Sequence, residues 1–267
     1  MKQERRKLAI PVYFTLALFA LVWISPIFVA FSKSLQINGL ENYRYVLTYE
    51  KINYFRVISN SFTIAVITSI AVQLLASLAG YAFSKMDFLG KKIIFALILG
   101  CLAVPIAAVT MPMFNTINRA GLLDSHLGVI WPLIAFNAPF MLFMTKNYYD
   151  GIPNELLEAA KIDGASSFRT YCSVMFPLGV PIMANVLVLT FIYSWNDYLV
   201  PLLVMRSESN YTVTLAAQFF MNTTFQSPSD VARIYAVMML LTLPSIIVYL
   251  FSQKFLQTGI TSGAVKG

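Results

Sequence analysis

Residues 155–164 read ELLEAAKIDG, four charged side chains in ten, in a chain of 267 residues that is 58% hydrophobic and only 12% charged. Apolar sequence lies on both sides of this stretch. Moving outward, the segments 8–32, 57–84, 93–118, 125–145, 170–196 and 234–253 contain no Asp, Glu, Lys or Arg. An α-helix rising about 1.5 Å per residue needs about 20 residues to cross a hydrocarbon layer of about 30 Å, and every one of these runs is long enough. The pattern predicts an all-α integral membrane protein, a single domain over 1–267. Its six transmembrane helices fall at about 8–32, 58–84, 93–117, 126–145, 178–203 and 234–254. ELLEAAKIDG then belongs to a loop, about 147–177, that stands outside the bilayer.

A soluble protein with buried apolar helices is the competing reading. Six such runs, with a mean hydropathy of +0.70, leave too little polar surface to cover that core. The first run follows the basic MKQERRK and is too long for the apolar region of a signal peptide, about 7–15 residues, so it is expected to be retained as an anchoring helix. The prolines at 11, 26, 105, 132, 139 and 244 do not veto the spans, because packed neighbours re-satisfy freed carbonyls within a bundle. Placing both termini in the cytoplasm puts 12 of the 19 Lys and Arg residues on the inner side, as the positive-inside rule requires. The outer segment 32–56, rich in aromatic and charged residues, reads as interfacial and partly helical.

Several chemistries are excluded. A net charge of +7 without Lys and Arg interleaved among stacking aromatics does not describe a nucleic-acid interface. FLGKKI (88–93) lacks the upstream glycine of a phosphate-binding loop, so the chain is not expected to hydrolyse ATP by itself. His126 is the only histidine and no second ligand lies at metal-binding spacing; Cys101 and Cys172 are not expected to form a disulfide. There is no catalytic triad or intramembrane carboxylate pair. Transport, anchoring or a channel remains.

The charged loop has the local physics of two short helices. Asn154 is placed to cap the first, with Glu155 and Glu158 near the positive end of its dipole and Leu156, Leu157 and Ile162 as apolar contacts. Gly164 is placed as the left-handed residue that stops it, Ser166 or Ser167 as the cap of the second helix, and Pro177 as its end. Ala159, Ala160, Gly164 and Ala165 keep the first helix slim, so that it can lie close to a partner with its acids at the rim.

EAAKIDGASSFRTYCSVMFP resembles the EAA motif of ABC-importer permeases, on Glu158, Ala159, Ala160, Asp163, Gly164, Ala165, Phe168 and Pro177. Residues 60–92 and 194–205 look like the second span and the end of the fifth span of carbohydrate permeases. The tail GITSGAVKG (259–267) is similar to the terminus of the smaller permease subunit of maltose-type importers, with Ser262 where an alanine is expected. The resemblance implies a type I ABC importer permease fold in a bacterial or archaeal inner membrane, working beside a second, larger permease subunit. It also implies a dimer of ATP-binding subunits and an external substrate-binding protein. ATP and magnesium then sit on the partner ATPase and this chain binds no cofactor. Its docking residues are Glu158, Ala159, Ala160, Asp163, Gly164 and Ala165, with Asp163 open to a second reading as a local cap. The implied solute is a sugar or oligosaccharide, the alternatives being a polyol or an amino-acid derivative. A secondary transporter is disfavoured, since no internal repeat stands out.

Asn196 and Asp197, beside Trp195 and Tyr198, fall near the outer interface and are candidates for an outer gate or a contact with the binding protein, against a plain boundary marker. Gln73, Asn115, Asn118 and Asn137 stand either for a polar translocation path or for hydrogen bonds between helices.

Overall fold

The computed structural model describes residues 2–223 and 227–264, with side chains for 12–218, 220, 221, 227–251 and 253. The tail 259–267 invoked above therefore lies outside the described side chains, and 265–267 outside the described residues altogether. Among the described residues four helices are long and apolar enough to cross a membrane: α1 (Lys2–Ser34), α3 (Tyr54–Lys85), α6 (His126–Asp150) and α13 (Pro228–Ala264).

The third and fifth runs are each a bent pair of helical segments. The third is two helices, α4 (Lys91–Gly100) and α5 (Ile106–Arg119), which meet at 102° around Val104 and Pro105. Pro105 is extended, with ψ 131°, and a proline carries no N–H to continue the ladder. The fifth bends by 76° at Gly179, between the segment Ser167–Leu178 and α10 (Val180–Asn196). That earlier segment comprises α8 (Ser167–Thr170), a π-helical turn (Tyr171–Met175) and α9 (Phe176–Leu178). Pro177 lies inside α9, one residue before that helix ends at Leu178 and the chain bends at Gly179. The remaining helices are α2 (Glu41–Leu47), α7 (Glu155–Ile162), α11 (Leu199–Val204) and α12 (Val213–Thr223).

The chain divides into two compact units, Met1–Tyr54 with Ala217–Leu243, and Phe55–Ala216 with Pro244–Gly267. In the first, the aromatic segment after α1 does contain a helix, α2, and buried Asn42 closes the turn between them by donating to the Ser34 and Gln36 carbonyls at 2.9 and 3.1 Å. Arg233 lies 4.0 Å over the Tyr45 ring and 3.1 Å from Asp230. The apolar window of α1 buries nothing within the chain, so its Phe, Leu and Trp side chains form a surface that suits lipid or another membrane helix.

In the second unit α3 and α6 contribute to two cores, joined by α5 and α11 in one and by the π turn and α10 in the other. One gathers Ile64, Ile117, Val129, Leu133, Val200 and Val204. The other, toward the charged loop, gathers Val72, Met141, Tyr149, Tyr171, Met175 and Met183. Helices α3 and α6 approach closely at Gly80, where a Cβ would meet the Thr145 methyl at 2.8 Å.

Candidate docking helix and solute cavity

Helix α7 holds eight residues and ends as the sequence predicts. Gly164 adopts φ +75°, its N–H donates to the Lys161 carbonyl at 3.0 Å, and the Ala165 N–H reaches back to the Ala160 carbonyl at 3.0 Å. This pair of bonds is the Schellman closure that satisfies the last carbonyls of a helix. It gives Ala160, Gly164 and Ala165 a shared structural task. No atom lies within 4 Å of where a Gly164 Cβ would stand, so glycine is demanded here by backbone angle rather than by crowding. Ser166 caps α8 by accepting from the Arg169 N–H at 3.3 Å, which takes the local capping role considered for Asp163.

The start of α7 differs from expectation. Asn154 has helical angles, φ −74° and ψ −22°, and makes no side-chain cap. Its Oδ1 instead accepts from the Lys85 ammonium at 2.8 Å, and the same ammonium donates to the Ile152 carbonyl at 2.6 Å. Lys85 ends α3, so this bond ties the root of α7 to a long apolar helix.

Only Leu157 of α7 is buried in its own chain. Leu156 is 44% exposed, Ile162 87% and, across the turn, Phe168 70%, with Glu155, Glu158 and Asp163 exposed beside them. Large apolar side chains in water beside a ring of acids form a surface that fits a partner.

Beneath that surface lies a group that the sequence reading missed. Ser77 Oγ of α3 is 2.5 Å from the Tyr171 hydroxyl and 3.3 Å from the Tyr149 hydroxyl of α6. Tyr81 donates to the Ser167 carbonyl at 3.2 Å. A Cβ at Gly179 would stand 2.6 Å from the Tyr149 hydroxyl, so the bend brings backbone directly onto this group. The π turn sets Tyr171 and Met175 inward while Cys172 and Ser173 remain exposed. Through these contacts the α7–α8 segment is bolted to α3, α6 and the start of α10.

A second site lies between α5, α6 and the end of α10. It is a cavity of about 710 Å³ walled by Phe136, Phe140, Tyr193 and Tyr198, with Asn137, Asn196 and Asp197 as polar groups. Asp197 breaks α10 with an extended backbone, accepts from the Val200 N–H at 3.0 Å and, through its carbonyl, from the Thr214 hydroxyl at 2.7 Å. Asn137 and Asn196 bond within their own helices, to the Leu133 and Ile192 carbonyls. Of the polar residues singled out in the sequence, the cavity brings together Asn137, Asn196 and Asp197. Gln73, Asn115 and Asn118 are not among its lining residues; the last two are exposed on α5.

Asp124, also missed, organises the loop before α6. Arg206 and Ser207 amides donate to its Oδ1 at 2.9 and 3.0 Å, the Ser207 hydroxyl donates to Oδ2, and Asn210 Nδ2 donates to its carbonyl at 2.7 Å. Burial pushes this carboxyl up, but the several bonds from Ser207 and Arg206 together outweigh it and hold the group well below the usual carboxylate range. The signal for such a clasp is weak in sequence, since its partners lie 82 and 83 positions away.

With this geometry in hand, the family described as binding-protein-dependent transport system inner membrane component matches residues 73–262. The chain belongs to this family. The permease is 31% identical over 235 residues to the arabinooligosaccharides transport system permease protein AraQ of Bacillus subtilis, spanning 87% of this chain and 80% of that protein. It is 28% identical over 261 residues to the trehalose/maltose transport system permease protein MalG of Thermococcus litoralis, with 94% and 92% covered. In fold it matches the crystal structure of a bacterial ABC transporter involved in the import of the acidic polysaccharide alginate. The TM-score is 0.77 at 24% identity, over 93% of this chain and 96% of that one. The permease is thus a multi-pass, all-helical membrane subunit with the type I ABC importer permease fold.

Proposed function

We propose that this permease passes a sugar or oligosaccharide inward, receiving it from an external binding protein and drawing energy from a separate pair of ATP-binding subunits that dock on α7. The observation that carries the reading is α7 itself. It is a short helix whose apolar side chains face outward among acids while its root is fixed to the membrane helices by Lys85, Leu157 and the Ser77–Tyr171 bond. A lever needs a free contact face and a rigid base, and α7 has both. Closure of an ATPase dimer around two such helices would draw them together and bias the permease pair between inward-open and outward-open arrangements. The second permease subunit, the nucleotide and its magnesium all lie with the partners in this scheme. Both termini face the cytoplasm, on the same side as α7.

A sugar is supported by the names of the relatives and by the cavity. Flat aromatic faces beside amides and a carboxylate suit pyranose rings, which offer C–H faces and hydroxyl edges together. Among the described residues Asp197 is the only charged one lining the cavity, so a neutral solute is favoured over an acidic one. Asn196 and Asp197, at the mouth formed where α10 ends, admit the solute. Co-purification from the native membrane tests the assembly, and screening solutes on the accompanying binding protein tests the cargo. A binding protein and an ATPase are expected to co-purify, and the binding protein to prefer a neutral oligosaccharide. Isolation of the chain with neither, or a preference for an amino-acid derivative, would overturn the corresponding part.

A further inference from the structure

A third feature belongs to neither site. Where α3 ends, α4 begins and α6 ends, a cleft of about 360 Å³ is lined by Lys91, Lys92 and Lys146, with Asp150 the only acid on its wall among the described residues. Asp150 is already engaged: its carboxylate lies 2.6 Å from Lys146 Nζ and accepts from the Ser84 hydroxyl at 2.8 Å. Lys91 donates to the Met86 carbonyl at 2.7 Å and lies 3.6 Å from Asp87, which is outside the cleft lining. Lys92 has no hydrogen-bond or ion-pair partner among the described residues. Three ammonium groups against one carboxylate leave the cleft an excess of positive charge.

Its surroundings are those of a membrane boundary. Phe83 and Phe95 form the apolar part of the wall, and Lys146 lies 5.3 Å over the Phe95 ring. From the cleft α4 runs on as KKIIFALILG with none of its residues buried in the chain, and Ile93 and Leu97 are each 68% exposed. A basic cleft that continues into an uncovered apolar strip matches an amphiphile, head in the cleft and chain along the helix. A free anion would use only the lysines and gain nothing from the strip.

We propose that this cleft binds the phosphate of an anionic phospholipid, with its acyl chains along α4. The assignment rests on the membrane fold alone and holds whatever solute the permease carries. Lys92 supplies the uncommitted charge, Lys146 a second ammonium held in place by Asp150, and each basic residue near a lipid surface is worth about a five-fold change in affinity.

The test is native mass spectrometry of the full-length permease, in the complex with which it purifies, after exchange into phosphatidylglycerol or phosphatidylcholine. Phosphatidylglycerol is expected to be retained preferentially. Lys92→Gln should weaken retention about five-fold, a further Lys146→Gln should weaken it again, and Lys92→Arg should preserve it. A parallel arm adds inorganic phosphate to delipidated protein, where no comparable protection against heat is expected. Equal retention of the two lipids, indifference to Lys92→Gln in correctly assembled protein, or protection by inorganic phosphate equal to that by lipid would each overturn the proposal.

Discussion

The permease uses its acids in opposite ways in two loops. Asp124 is consumed by its own chain: two amides and a hydroxyl close on its carboxylate and fix the turn into α6. Glu155, Glu158 and Asp163 stand exposed around α7, beside Leu156 and Ile162, and the work of holding that loop falls to neutral hydroxyls and one lysine beneath it. An acid saturated by backbone donors specifies local structure, whereas an acid left at the rim of an apolar face is available to a partner. The contrast predicts that changes at α7 cost coupling and little stability, while changes at Asp124 cost stability and little coupling.

Gly164→Pro should break the comparison most severely. Proline fixes φ near about −65°, which the +75° of this residue cannot accommodate, and it removes the N–H that closes on Lys161. Membrane insertion should persist, because no buried apolar contact is touched, while solute-stimulated ATP hydrolysis by the reconstituted complex falls to its basal level. A smaller effect is expected from Tyr171→Phe, which deletes one hydroxyl from the group beneath α7 and leaves Ser77 with its longer contact to Tyr149. Unfolding in detergent should be easier by about 1–2 kcal/mol. The solute moved per ATP should drop as well, and an unchanged ratio would mean that the hydroxyl group only supports the fold.

Asp124→Asn probes the other side of the comparison. Asparagine tolerates the positive φ of this residue, so the backbone stays unstrained. The loss should be about 1 kcal/mol, a value reduced because water reaches the site. Since folding lowers the Asp124 pKa, the stability it provides is complete above the unfolded value of about 3.9 and is lost as pH falls through the lower folded value. The difference between wild type and variant in thermal unfolding should therefore be flat from neutral pH to about pH 5 and vanish in stronger acid. Stimulated ATP hydrolysis at neutral pH should be unaffected.

How far the sequence could be read follows from what each signal encodes. Absence of charge located the apolar runs but says nothing about direction, so the turns of 102° and 76° inside the third and fifth runs had to come from the structure. The end of α7 was legible because only glycine takes a left-handed angle without cost, and Gly164 sits where the helical pattern stops. Its start is not legible, because Asn154 stands where a cap would stand while its side chain is claimed by Lys85, 69 residues earlier. The Ser77, Tyr149 and Tyr171 group was illegible for the same reason, its members being 72 and 94 positions apart, each an ordinary residue in its own helix. The cavity was half legible: Asn137, Asn196 and Asp197 stood out as polar residues in apolar runs, but only folding separates them from Gln73, Asn115 and Asn118.

Entry of energy through α7 is tested most directly by Glu158→Lys. This exposed position reverses its charge without disturbing a core or a hydrogen bond of the Schellman turn. In a reconstituted complex with its binding protein and solute, the variant should insert and fold normally yet lose most solute-stimulated ATP hydrolysis. Stimulation equal to that of the wild type would contradict the account.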